Sequence, residues 1–184
     1  TVYNKGAEIY RMLWHLLGAD NFRKGMDRYF EKYDGSAQTI DAFVENMTAA
    51  TGKDLSQFHR WYHQAGTPEI TVKTVIDEKQ ETLTLSISQH TPPTPGQDNK
   101  EAVQFPFVIG LLDENGRDLP LNCVHGESPR ADEGVLEITA PQQSFVFGNV
   151  KTKPVVSLLR GFSAPVKVFY DRTPEELLFL WQHD

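Results

Sequence analysis

Cysteine occurs once in the 184 residues, at Cys123. An internal disulfide framework and a zinc site built on paired cysteines are therefore excluded. No apolar run approaches the ~20 residues that a membrane-spanning helix needs, and no basic and apolar leader opens the sequence. Basic charge is in deficit too, with 18 Lys+Arg against 25 Asp+Glu and a net charge of -7 at pH 7. An acidic surface repels phosphate backbones, so neither nucleic acid nor membrane is an expected partner. Internal repeats, low-complexity tracts, a Gly-rich phosphate loop and a G-x-S-x-G elbow are all missing. What is present fits a folded chain: 39% apolar and 23% charged residues, with 11 Phe, 6 Tyr and 3 Trp to fill a core.

The charge is unevenly placed. Residues 1–65 hold 8 Lys+Arg and 8 Asp+Glu, whereas residues 66–184 hold 10 against 17. The neutral part has helical periodicity. Ile9, Met12, Leu13, Leu16 and Leu17 recur at helical spacing, with Gly18 as a stop. A second helix is predicted from an Asp20 or Asn21 cap, burying Phe22, Met26, Tyr29, Phe30 and Tyr33 and ending at Asp34-Gly35-Ser36. A third runs from a Thr39 cap through Ile40, Phe43, Val44 and Met47 to Gly52. A fourth starts at Asp54 or Ser56 and buries Phe58, Trp61, Tyr62 and Ala65. Short connections make these helices neighbours in space.

At Gly66-Thr67-Pro68 the period changes from 3.6 to 2. Ile70, Val72 and Thr74 alternate, as do Leu83, Leu85 and Ile87, around a turn at 77–81. Further strands are predicted at 103–112, 135–139, 144–150 and 166–170, separated by turn signals at 113–116 and 131–134. This spacing predicts an antiparallel β-sandwich, with Pro106 marking an edge strand or a bulge. Thr173-Pro174-Glu175-Glu176 is a helix start with a capping box, and Leu177, Leu178, Leu180 and Trp181 open an apolar face. The fold class expected is α+β. Because the chain opens without Met and stops inside a helical pattern, the expectation is a piece of something longer.

Few residues carry chemistry on their own. His59 and His63 stand at i and i+4, a spacing that can hold zinc on one helical face. Arg60 occupies the place of the Glu that would act as general base, and no third ligand is evident nearby. They read as surface or boundary histidines. Cys123 and His125 share a strand face, but an acidic half of the chain does not activate a thiolate. Asp113-Glu114 and Asp132-Glu133 read as solvated turns, without calcium-loop spacing. Tyr3 opens the first helix and carries a hydroxyl able to donate to a developing oxyanion.

Longer stretches resemble a known family. Thr1-Val-Tyr-Asn-Lys-Gly-Ala-Glu8, Leu17-Gly-Ala-Asp-Asn-Phe22, Tyr33-Asp-Gly35, Asp41-Ala-Phe43 and Phe58-His-Arg-Trp-Tyr-His-Gln-Ala-Gly-Thr-Pro68 are similar to the M1 family of zinc aminopeptidases. Thr82–Gln89, Ser144–Phe147 and Phe162–Lys167 resemble the domain that follows its catalytic domain. The resemblance runs in order through essentially the whole chain.

It implies that 1–66 are the helical end of a thermolysin-like catalytic domain, 67–171 a β-sandwich domain, and 172–184 the first helix of a truncated helical domain. Such enzymes release N-terminal residues from peptides with a free N-terminus, and a cytoplasmic location is expected. Their zinc is held by an H-E-x-x-H helix and a downstream Glu, while a G-x-M-E-N segment captures the substrate amine. Neither motif is in this sequence. The resemblance maps one catalytic residue here, Tyr3, as the oxyanion-stabilising tyrosine, with Asn4 where the family commonly has Glu. It places His59 and His63 in the family's last helix of this domain, apart from the zinc helix. Zinc is thus expected in the longer enzyme and none in this chain, which would pack against absent catalytic and helical domains. The alternative is a non-catalytic sandwich serving as an interaction or binding module.

Overall fold

The computed structural model describes residues 2–184, with the backbone alone for Val2. Helices α1 (Val2–Leu17), α2 (Ala19–Tyr33), α3 (Ile40–Thr51) and the short α4 (Arg60–His63) come first. Ile9, Met12, Leu13, Leu16 and Leu17 of α1 are all buried, as their spacing requires. The join to α2 differs from the sequence expectation. Gly18, at φ 76, turns the chain within one residue, so α2 starts at Ala19 without a side-chain cap. Asn21 instead reaches back, its Nδ2 donating to the Leu17 carbonyl at 3.2 Å, and so occupies an orphan acceptor at the end of α1.

The apolar face of α2 is less buried than predicted: Phe22, Met26, Tyr29 and Tyr33 are half-buried, and Phe30 is exposed. The helix is seated instead through Gly25. A Cβ there would lie 2.1 Å from Met47 Sδ, and Asn46 Nδ2 donates to the Gly25 carbonyl at 3.0 Å. That close approach lets α2 rest on α3 backbone to side chain. Helix α3 has the predicted Thr39 cap and a left-handed Gly52 stop. The predicted fourth helix shrinks to one turn, because residues 56–59 form turns and Ala65 is exposed.

Eight strands follow: β1 (Glu69–Asp77), β2 (Thr82–His90), β3 (Phe105–Leu112), β4 (Cys123–His125), β5 (Val135–Ile138), β6 (Gln142–Phe147), β7 (Val155–Leu158) and β8 (Lys167–Phe169). They form a five-stranded sheet in the order β4-β6-β2-β1-β8 and a three-stranded sheet β5-β3-β7. Buried Phe105 and Phe107 of the small sheet and Phe145 and Phe147 of the large one belong to a shared core. The sandwich is mixed rather than wholly antiparallel, since β8 runs parallel to β1 with Ile70 opposite Val168. Pro106 stands in the middle strand of the small sheet, not at its edge. Pro106 is opposite Glu137 of β5, while β7 pairs only with residues 109–112. Backbone N–H groups alternate in direction along a strand, and Val108 N donates to Ser163 Oγ on the side away from β5. The N–H that proline lacks would point to that same unpaired side, so no ladder bond is lost.

The helical segment rests on the sandwich, α1 against β3 and β5. Trp61 Nε1 donates to the Gln104 carbonyl at 2.7 Å, and Lys53 pairs with Glu137 at 2.6 Å. Arg130 Nη1 donates to the His15 carbonyl. The buried apolar cluster runs without a break from Met12 and Leu13 through Phe58 and Trp61 to Phe105 and Leu136. Helix α5 (Pro174–His183) has the predicted capping box, with Thr173 Oγ1 accepting from Glu176 N and Glu176 accepting from Thr173 N. Leu180 is buried, whereas Leu177, Leu178 and Trp181 lie exposed.

Candidate functional site

Tyr3 sits in the first turn of α1 and is 92% exposed. Its phenol is open to any group that approaches this end of the helix. Two other tyrosines of the helical segment differ. Burial, and then the neighbouring Tyr10, pushes the Tyr62 phenol up to about 12, and burial raises Tyr10 as well. Both shifts keep the phenols in their neutral form.

The histidine pair requires a correction. A third donor is present: Asp41, His59 and His63 place one ligand atom each within 4.8 Å of one another. Asp41 is the second residue of α3, behind the Thr39 cap. Helix α3 brings it against the turn that carries His59, whose Nε2 lies 2.7 Å from Asp41 Oδ1. The His59 and His63 rings are 4.6 Å apart. The expectation that this chain itself has no means of holding a metal is therefore overturned. Sequence spacing missed Asp41 because it lies on a different helix; only the α3–α4 packing makes the three neighbours.

This cluster does not fit the catalytic zinc centre that the M1 family implies. Where that motif has a carboxylate to activate water, Arg60 stands, and its guanidinium is engaged with Glu101 and the Ala102 carbonyl. No step of peptide hydrolysis is routed through it. Beside the cluster, a cleft of about 450 Å³ opens between the Asp41, Glu45 and Thr48 face of α3 and the Asp54–His59 turn.

The polar groups of the sandwich are used internally. Cys123 and His125 flank a β-bulge, and the thiol donates to the His125 carbonyl at 3.3 Å rather than meeting its ring. Burial holds the thiol above its ordinary range, which disfavours thiolate. Asp113 Oδ1 accepts from Asn115 N and Arg117 N, Asp132 Oδ1 accepts from Cys123 N, and Glu133 pairs with Arg130. These carboxylates close turns.

A mixed two-sheet sandwich preceded by packed helices defines an Ig-like domain attached to a helical segment. Residues 66–171 match the family model described as "Domain of unknown function (DUF3458) Ig-like fold", and residues 1–62 match the peptidase family M1 domain. The chain belongs to the first of these families and is homologous to the M1 aminopeptidases. It is 49% identical over 183 residues to aminopeptidase N of Escherichia coli, covering 100% of this chain and 21% of that protein. Aminopeptidase N of Haemophilus influenzae is 44% identical, over 98% of this chain and 20% of its own length. Among solved structures, Legionella pneumophila aminopeptidase A in complex with aspartic acid superposes with a TM-score of 0.81 at 30% identity, covering 100% of this chain and 20% of that one. The chain thus spans about one fifth of the length of the relatives it matches.

Proposed function

We propose that the chain is the part of an M1 metalloaminopeptidase that supplies an oxyanion-stabilising tyrosine, Tyr3, together with a structural Ig-like sandwich. The observation that carries this reading is the unbroken match to aminopeptidase N, 49% identical over 183 residues. The substrates of the whole enzyme are peptides with a free N-terminus. During attack on the scissile carbonyl, negative charge grows on its oxygen, and the Tyr3 hydroxyl donates a hydrogen bond to it. A donor placed for that developing charge lowers the barrier without tightening substrate binding. The exposed position of Tyr3 supports this role, since its hydroxyl has no packing duty.

In this reading 1–66 end the catalytic domain, 67–171 form the sandwich, and 172–184 begin a helical domain. The exposed Trp14, Leu177, Leu178 and Trp181 are the surfaces on which the other parts of the enzyme rest. The test is Tyr3→Phe in the complete enzyme. We expect kcat to fall about 10²–10³-fold, as for loss of one oxyanion donor, with little change in KM. An unchanged kcat would remove Tyr3 from the mechanism.

A further inference from the structure

We propose that Asp41, His59 and His63 form a binding site for a first-row transition ion of the Zn²⁺ class, which clamps α3 to the α4 turn. This inference is independent of the aminopeptidase reading, because it concerns neither Tyr3 nor hydrolysis.

Four observations support it. The donor atoms of the three side chains already converge within 4.8 Å. His59 Nε2 is buried and, among the described residues, has no hydrogen-bond partner. Asp41 Oδ1 is only 2.7 Å from it, so carboxylate and imidazole meet at one place. A ring nitrogen so placed has its lone pair available to a cation that the carboxylate also faces. Finally, Asp41 and His63 are exposed, so they can adjust to an ion while His59 stays fixed by the turn.

The chemistry of the donors selects the ion. Two imidazoles and one carboxylate are a borderline nitrogen-rich set, suited to Zn²⁺, Co²⁺ or Ni²⁺ rather than to Ca²⁺ or Mg²⁺, which take oxygen ligands. Tetrahedral zinc with bonds of about 2.0–2.2 Å needs ligand atoms about 3.3 Å apart, a value between the 2.7 Å of His59 Nε2 to Asp41 Oδ1 and the 4.8 Å within which all three atoms lie. Three protein ligands leave a fourth position open to water. His63 ends α4, His59 stands in the turn just before it, and Asp41 lies in the first turn of α3, so the ion would bridge two elements. Arg60 and Trp61, between the two histidines, are bonded to the sandwich at Glu101 and Gln104. A bound ion therefore stiffens the joint between the helical segment and the Ig-like domain.

The experiment uses the 184-residue chain, stripped with chelator and titrated with Co²⁺ and Zn²⁺. We expect one ion per chain, a visible Co²⁺ absorption of nitrogen-ligated character, and a rise in Tm with Zn²⁺ that EDTA reverses. His63→Gln and Asp41→Asn, both at exposed positions, should each weaken binding at least 10-fold, about the loss seen when even a ligand's supporting partner is removed. His125→Ala, in the sandwich, should leave the affinity unchanged. Co²⁺ and Zn²⁺ binding that persists in His63→Gln with wild-type affinity would overturn the proposal, as would the absence of any Co²⁺ spectrum from wild-type chain whose circular dichroism shows it folded. Equal loss in His125→Ala would also overturn it, by placing the ion elsewhere.

Discussion

The helical segment and the Ig-like sandwich use their polar groups in opposite ways. In the sandwich, Asp113 and Asp132 accept from nearby backbone N–H groups, Glu133 pairs with Arg130, and Cys123 donates to a carbonyl two residues on. Such groups hold turns together and have little capacity left for a ligand. The helical segment instead leaves Tyr3 exposed and brings donor atoms of Asp41, His59 and His63 within 4.8 Å of one another, with the buried His59 Nε2 lacking a hydrogen-bond partner among the described residues. Sequence identity with the aminopeptidases covers both regions, but the donors suited to chemistry lie in the helices. The difference shows that a half rich in carboxylates can be chemically quieter than a neutral one.

The largest expected effect tests whether the two regions are one cooperative unit. Phe58 is fully buried where the helices meet the sandwich. Phe58→Ala should cost about 3–5 kcal/mol and lower helical and sheet signals in a single transition. Two separate transitions in thermal unfolding would divide the molecule more sharply than its continuous core does. A smaller effect is confined to the helical side. Gly25→Ala drives a methyl group against Met47 Sδ and should destabilise by about 1–3 kcal/mol, with the Gly25→Ala/Met47→Ala pair costing less than the sum of the two single changes. Equal stability of Gly25→Ala and wild type in urea would mean that α2 is not seated through that glycine.

The smallest effect concerns the joint itself. Burial, followed by the Arg130 and Arg11 cations, holds His15 below its ordinary value of 6.5. The folded chain therefore favours neutral His15 while the unfolded chain takes up the proton first. This contribution is intact above about pH 6.5 and is lost as pH falls below it toward the folded pKa. His15→Gln should lose less Tm than wild type between pH 7.5 and 5.5, with the Arg130 bond retained because it is made to the His15 backbone carbonyl. Parallel Tm curves for the two proteins would remove His15 from the acid response.

Much of the fold was legible where periodicity was long. The α1 stripe, the Thr39 and Thr173 caps, and the alternation in β1 and β2 all appear as the residues predict. What could not be read is short or long-range. Strand β4 has three residues and a bulge, and β7, Val155-Val-Ser-Leu158, is a four-residue run after Pro154 whose β-branched start was its only local signal. The parallel β1–β8 pairing joins residues nearly a domain apart, beyond any local pattern. Of the candidate site, Tyr3 is proposed from resemblance to a family alone, and the histidine pair was visible in its spacing. Asp41 was hidden because only the packing of α3 against the His59 turn brings it to the histidines.

The central claim, that Tyr3 is the catalytic contribution of this chain, is tested most directly in a chimera. This chain would replace the corresponding segment of Escherichia coli aminopeptidase N, to which it is 49% identical. The measurement is kcat on an alanyl amide for the chimera with Tyr3 and with Tyr3→Phe. The account predicts an active chimera whose Tyr3→Phe form has the same Tm but a kcat lower by about 10²–10³-fold. Equal kcat for the two folded forms would contradict it.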